Sequence, residues 1–346
     1  MEIGIGLDPT LGLSLDQHGD LARQAVRLGY ASMWTPAGLG IDAFLVCARW
    51  SVASAEVVEG GLWTGISVVP VPYWTAPLLA STAATVGTLS GGRFILGIGS
   101  GAIHDEEQRR RFGIPAWPAV GMMRDYLIAT RGLLAGDAVE HSGPAVTLHG
   151  AQLGTKPPAV PVYLGALGPQ MVRLAGRAAD GVLLNWCSPE QVAWSRRVVE
   201  ESARGSGREP GAVRVVEYIR VCVDEDEDAA RRAYTRAMMG YALARPGASK
   251  QLSYRGHFAR MGFDEALTEL EDRRDRGAGQ DELIEAFPRD LLTKVGYYGP
   301  AAGAAAAFRQ LAEGLDLAIV RVVGTRRGPE TALATMEACR PELTGR

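Results

Sequence analysis

Two segments of this chain combine residue types that could hold a ligand against bare backbone. Gly97-Ile98-Gly99-Ser100-Gly101-Ala102 follows the apolar run from Phe94 to Ile98, and Gly165-Ala166-Leu167-Gly168-Pro169-Gln170 follows the run from Val160 to Leu164. Three glycines in five residues let a ligand approach the chain closely. The first segment formally satisfies G-x-G-x-x-A, the dinucleotide fingerprint. Its context argues against that reading: it follows the fourth apolar run, and His104-Asp105-Glu106-Glu107 does not continue as an apolar crossover helix. A tight strand exit with no ligand is the plainer alternative. The second segment opens a helix at Gln170 to Arg177, where exposed N–H groups and a helix N-terminus suit a phosphate. A plain loop ending in Gly-Pro would look the same.

Groups able to move a proton are few. Asp8 ends the first apolar run and either faces a cavity or caps the next turn. His104 lies just beyond the glycine turn, as a donor or as a solvated loop residue. These two are the candidate catalytic residues. His18, His141 and His149 fall in helix or hairpin contexts and read as structural, and His257, in the second insertion, reads as a surface residue, with an approach to the mouth as the alternative. Trp34, Trp74 and Trp186 are candidate walls of a substrate cavity, with core packing as the alternative. Asp224-Glu225-Asp226-Glu227-Asp228 reads as the solvated first turn of a helix, where acidic groups favour the dipole, and not as a metal site. Arg109-Arg110-Arg111 reads as a solvated face.

The elements that must position these residues alternate. Short apolar runs (Ile3 to Leu7, Ala31 to Trp34, Leu62 to Val69, Phe94 to Ile98, Val160 to Leu164, Gly181 to Leu184, Val213 to Val223, Leu317 to Val323) are separated by helix-length amphipathic segments. That is the sequence form of repeated βα units around a parallel sheet. Two longer stretches interrupt the rhythm, one after the fourth run with a hairpin around Val139 to Leu148, one after the seventh with charged helices that include Asp264 to Arg276. The expected fold is an α/β (β/α)8 TIM barrel with insertions after strands 4 and 7, a single domain over 1–346, with chemistry at the strand C-termini. A doubly wound sheet is the competing architecture.

Composition bounds the function classes. The 346 residues are 47% hydrophobic and 22% charged, enough to bury a large core. A net charge of -3 argues against a nucleic-acid partner. No apolar run approaches a membrane span, and the acidic start Met1-Glu2-Ile3 is not a signal peptide. Cys47, Cys187, Cys222 and Cys339 are widely spaced, as buried thiols in a reducing compartment would be. A cytoplasmic protein acting on a small-molecule substrate is expected.

Taken together, the strand ends resemble those of the bacterial luciferase-like flavin barrels, in the branch that binds the deazaflavin coenzyme F420. The residues that carry the resemblance are Gly65 to Val69 with Pro77, Gly91-Gly92-Arg93-Phe94 leading into Leu96 to Gly101, Pro161-Val162-Tyr163 leading into Gly168-Pro169, Ala175 to Gly181, and Val295 to Gly299. The resemblance implies a ring system over the strand C-termini and a cis Ser67-Val68 bond against it, with Val69 beside it. It implies Gly99, Ser100 and Gly101 along the ribityl chain, and Ala166, Leu167 and Gly168 at the phosphate. Asn185 and Trp186 would face the same mouth. A homodimer is implied too, and a mean hydropathy of +0.01 leaves room for an apolar patch to form it. Relatives that oxidise sugar phosphates carry an Asp-His pair after strand two and a Glu after the glycine turn. This chain has Trp34-Thr35-Pro36-Ala37-Gly38 and Ala102 there. Glucose-6-phosphate is therefore not the expected substrate. The reading is an F420-dependent oxidoreductase, a reductase of an imine or an activated C=C bond. An FMN-dependent monooxygenase and a non-catalytic cofactor-binding protein are the alternatives.

Overall fold

The computed structural model of the protein describes residues 1–209, 211–246 and 248–342; the end of the expected domain, 343–346, lies outside the described residues. The chain runs β1 (Glu2–Gly6), α1 (Leu15–Arg27), β2 (Ser32–Thr35), α2 (Ala43–Ala55), β3 (Trp63–Pro70), α3 (Ala76–Leu89) and β4 (Phe94–Gly99). The first insertion holds α4 (Glu106–Phe112), α5 (Ala119–Ala135) and an antiparallel hairpin, β5 (Val139–Ser142) with β6 (Thr147–Ala151). Then come β7 (Val162–Gly165), α6 (Pro169–Ala178), β8 (Gly181–Asn185), α7 (Pro189–Arg204) and β9 (Arg214–Val223). The second insertion comprises α8 (Glu227–Ala242), α9 (Ser253–Phe258), α10 (Asp264–Asp275), α11 (Gln280–Ala286) and α12 (Arg289–Lys294). The chain finishes with β10 (Gly296–Gly299), α13 (Ala301–Leu311), β11 (Leu317–Val322) and α14 (Pro329–Ala338).

Eight parallel strands close on themselves in the order β9-β11-β1-β2-β3-β4-β7-β8, with β8 returning to β9. Closure excludes the open doubly wound sheet. The local signals that set these elements are ordinary ones. Ser14 with Gln17 and Ser188 with Gln191 form capping boxes that start α1 and α7. Asp226 caps α8, so the acidic run is the helix start that its composition suggests.

Sequence pattern missed β10. The long strand β9 pairs with β8 through Arg214–Tyr218 and then, on the same edge, with β10 through Arg220–Val223. Gly-Tyr-Tyr-Gly is too short and too polar to read as a strand until β9 offers it an edge.

Alternation along each strand sorts the core. Outward residues such as Ile5, Met33, Ile66, Leu96 and Val215 meet the helices, while Trp34, Ile95, Tyr163, Leu183, Val216, Tyr218, Leu317 and Ile319 fill the lumen. Trp34 fits because Gly65 leaves space where any Cβ would overlap its ring. The second insertion has its own core around Tyr234, Met238, Phe258 and Leu267, and Trp186 is part of it. No helix among the described residues is long and apolar enough to cross a membrane.

Candidate active site

The strand C-termini converge on Val68. The register of β3 against β4 shifts between Ile66 and Val69, and the Ser67-Val68 peptide is cis. The Val68 side chain occupies the space over Gly99, where a Cβ would collide with it, and lies 3.1 Å from where a Cβ on Gly165 would stand. Three strand ends therefore share one bulge only because two of them carry glycine. Beneath it, the buried Tyr218 hydroxyl lies beside Ser67 without a partner of good hydrogen-bond geometry, and burial pushes its phenol up.

Beside the bulge, β9 and β11 align Arg220 with Arg321, and both guanidiniums are buried in the mouth, at 4% and 3% exposure. Like charges on neighbouring strands repel unless compensated. Arg321 is compensated: it donates to the Leu7 carbonyl at 3.0 Å, pairs with the Asp8 carboxylate and lies 4.8 Å over the Tyr218 ring. Asp8 also accepts from the Thr10 N–H at 2.9 Å, so it caps its turn while it pairs with Arg321. Burial would raise the Asp8 carboxyl, but the Arg321 charge and the Thr10 N–H hold it below its ordinary value. It is an ionised acceptor at neutral pH.

Arg220 is compensated differently. It donates to Asn185 Oδ1 and sits 3.8 Å over the Trp186 ring and 5.1 Å from that of Tyr241, and among the described residues no carboxylate pairs with it. Asn185 in turn donates to the Tyr254 hydroxyl at 2.7 Å. Trp186 has φ of 59°, a conformation costly for a bulky residue, and two buried groups hold the turn. His257 Nε2 lies 2.9 Å from the Trp186 carbonyl, and Glu217 Oε1 accepts from the Cys187 N–H at 2.7 Å. Burial lowers His257 to about 4, leaving a neutral ring whose Nε2–H donates, and raises the Glu217 carboxyl well above its ordinary range. His257 is thus not the surface residue that its sequence context suggested. It belongs to the wall of the mouth.

The family model of the luciferase-like monooxygenases matches residues 2–337. The chain belongs to the luciferase-like monooxygenase family. It is 36% identical, over 65% of its length and 70% of the relative's, to 5,10-methylenetetrahydromethanopterin reductase of Archaeoglobus fulgidus. A Mycobacterium tuberculosis protein assigned to the coenzyme F420-dependent oxidoreductases is 28% identical over 84% of this chain and 87% of its own. Among solved structures, the F420-dependent tetrahydromethanopterin reductase of Methanopyrus kandleri superposes with a TM-score of 0.77 at 22% identity, covering 99% of this chain and 97% of that one, which establishes the shared fold.

Within this luciferase-like barrel the residues singled out by sequence separate into groups. Ser67, Val68, Val69, Gly99 and Gly165 meet at the bulge, with Ser100 and Gly101 continuing from it. Asp8 and Asn185 stand in the mouth, whereas Trp186 is wholly buried in the core of the second insertion, with Arg220 stacked on its ring, so it backs the site and does not wall a cavity. Ala166, Leu167 and Gly168 form the exit of β7, where Gly168 begins α6 with no side-chain cap on its first N–H groups. Arg260 of the second insertion donates to the Leu167 carbonyl at 3.4 Å, which brings a cation to that loop. Trp34 is wholly inside the lumen, its Nε1 donating to Ser32 Oγ at 2.8 Å, so it supports the floor. Trp74 packs edge-on against Phe44 at 5.3 Å. His104 is exposed on the loop before α4; next to it, Asp105 pairs with Arg245 at 2.8 Å and so joins the two insertions.

Sequence reasoning passed over Arg220, Arg321, Tyr218 and Glu217. A signal existed: each is a polar residue inside an otherwise apolar barrel strand, and Tyr218, Arg220 and Arg321 share the inward parity.

Proposed function

We propose that this protein is a coenzyme F420-dependent oxidoreductase that reduces a small organic acceptor. The observation that carries the reading is the pairing of the glycine-flanked Val68 bulge with a mouth holding two guanidiniums and one carboxylate. The bulge and the partnerless Tyr218 hydroxyl offer a tricyclic ring a shaped, partly polar floor. Ala166 to Gly168, the uncapped start of α6 and Arg260 offer N–H groups and a positive charge to a phosphate. When bound, the reduced deazaflavin supplies the hydride. The chain's own residues orient the acceptor and offset charge. Arg220, which no carboxylate pairs with among the described residues, opposes the negative charge that grows on an acceptor oxygen as a conjugated C=C bond is reduced. Asp8, held ionised, accepts a hydrogen bond from the acceptor and does not donate a proton at neutral pH.

That the relatives reported above include a reductase supports this direction, and Trp34 to Gly38 and Ala102 in place of the sugar-phosphate enzymes' acid/base residues argue against the opposite one. The test is an anaerobic screen of conjugated alkenes and imines with reduced F420, following reappearance of the oxidised coenzyme's absorbance. Turnover of a conjugated alkene, equal in air and without oxygen, is the expected result. An absolute need for oxygen with FMN would replace the reading with the monooxygenase.

The protein pairs with a second copy. Leu45 and Val52 on α2 and Leu78 and Leu89 on α3 are at least half exposed, an apolar face that water disfavours. Light scattering is expected to give twice the chain mass, and a single chain mass across a wide concentration range would reject pairing. Four free, buried cysteines are consistent with a reducing, cytoplasmic setting.

A further inference from the structure

On the flank of the barrel, away from the mouth cluster, a groove of about 400 Å³ runs between the start of α5 and the length of α6. Val120 and Leu174 form its floor, and Arg124, Gln170, Arg173 and Arg177 line it. The charge there is one-sided. Arg124 lies 3.5 Å from Asp125, but that carboxylate is fully buried and already faces the Ala145 N–H at 3.0 Å and His141 at 3.2 Å. The other ion pair of this flank joins Arg131 to Asp180, and among the described residues neither Arg173 nor Arg177 pairs with a carboxylate. Arg173 and Arg177 are four residues apart on one helix face, an arrangement that costs stability. Helix α6 also has no acidic residue in its first turn. In a chain of net charge -3, two guanidiniums without a carboxylate, beside a third whose carboxylate is shared with His141 and the Ala145 N–H, call for an anionic ligand at one groove.

Continuity identifies it. Gln170, at one end of the groove, is two residues beyond Gly168 of the β7 exit, and Arg177 is roughly 10 Å farther along the helix axis at 1.5 Å per residue. On the function proposed above, the β7 exit holds the phosphate of coenzyme F420, and beyond that phosphate the coenzyme carries a chain of γ-linked glutamates. We propose that the groove between α5 and α6 is the seat of this polyanionic tail, with Arg124, Arg173 and Arg177 facing its carboxylates. The site tunes cofactor affinity and choice of tail length and takes no part in hydride transfer.

The experiment titrates the intact protein with three probes by fluorescence quenching: the deazaflavin riboside lacking phosphate and tail, F420 with a short tail, and F420 with a long one. Wild type and the Arg173→Ala/Arg177→Ala variant are compared at low and at elevated salt. For wild type at low salt, affinity should rise about three- to tenfold from short to long tail, the range that a few exposed ion pairs supply, and the gain should shrink with salt. The variant, altered only at exposed positions, should bind the riboside as wild type does and show no dependence on tail length. Arg173→Lys/Arg177→Lys should retain most of the dependence. A tail-length gain that survives in the alanine variant, or its absence from wild type, overturns the tail site while leaving the F420 reading intact. Failure of the riboside and of both F420 forms to bind wild type overturns the F420 reading itself, and the tail site with it.

Discussion

The protein displays two groups of arginines that solve opposite problems. Arg220 and Arg321 are buried side by side at the barrel mouth, where a carboxylate, a carbonyl, an amide and three aromatic rings fix them before any ligand arrives. Arg173 and Arg177 stand in solvent on α6, and among the described residues no carboxylate pairs with either. Charge in the mouth is expensive to desolvate, and its value lies in orientation. Charge on the flank is cheap, mobile and screened, so its value lies in modest, salt-dependent affinity. The same side chain therefore serves positioning in one place and capture in the other.

The largest effect should come from breaking the compensated pair. Arg321→Met leaves Asp8 partly buried without its partner and should cost about 3–5 kcal/mol in denaturant unfolding. Pairing it with Asp8→Asn should restore much of that loss. An unchanged unfolding midpoint for Arg321→Met would mean that the pair contributes nothing to the mouth. Arg220→Met should behave differently, because no carboxylate is orphaned. Stability should shift by about 1 kcal/mol or less while kcat/KM falls about 100-fold, or about 2.7 kcal/mol of transition-state binding. Equal losses of stability and rate would erase the distinction between a structural and a functional arginine.

A pH experiment probes the turn at Trp186, on whose ring Arg220 stacks. His257 titrates near 4 in the folded protein against an ordinary 6.5, so the unfolded chain takes up the proton first. Its contribution to stability is complete above about pH 6.5 and is lost as pH falls toward 4. Thermal unfolding of His257→Gln, whose amide can still donate to the Trp186 carbonyl, should show a shallower decline across that window. An identical decline would exclude His257 as its source. The smallest effect belongs to the flank, where the Arg173→Ala/Arg177→Ala variant should leave unfolding unchanged within about 0.5 kcal/mol.

What could be read from sequence follows from locality. The strands, the caps and the glycine exits are set by near neighbours, and the barrel with its two insertions follows from their alternation. The cis Ser67-Val68 bond came through resemblance, and no local spacing specifies it. What stayed hidden depends on partners distant in the chain. Arg220 draws no notice within an apolar run until β11 aligns Arg321 with it and Asn185 comes within reach. His257 looks exposed because its partner, the Trp186 carbonyl, is 71 residues away. Asp8 offered two readings, cap or cavity; the Thr10 N–H shows the cap, and its other partner, Arg321, is 313 residues away in the chain.

The central claim is that the Val68 bulge and the arginine mouth form an F420 site, and the most direct test is a pair of binding titrations with oxidised F420 and with FMN, each followed by fluorescence quenching. F420 should bind at least ~100-fold more tightly than FMN, a difference of about 2.7 kcal/mol. Ser100→Trp, which fills the strand exit beside the bulge, should abolish F420 binding in a folded protein. Tighter binding of FMN than of F420, or full F420 affinity in folded Ser100→Trp, would contradict the claim.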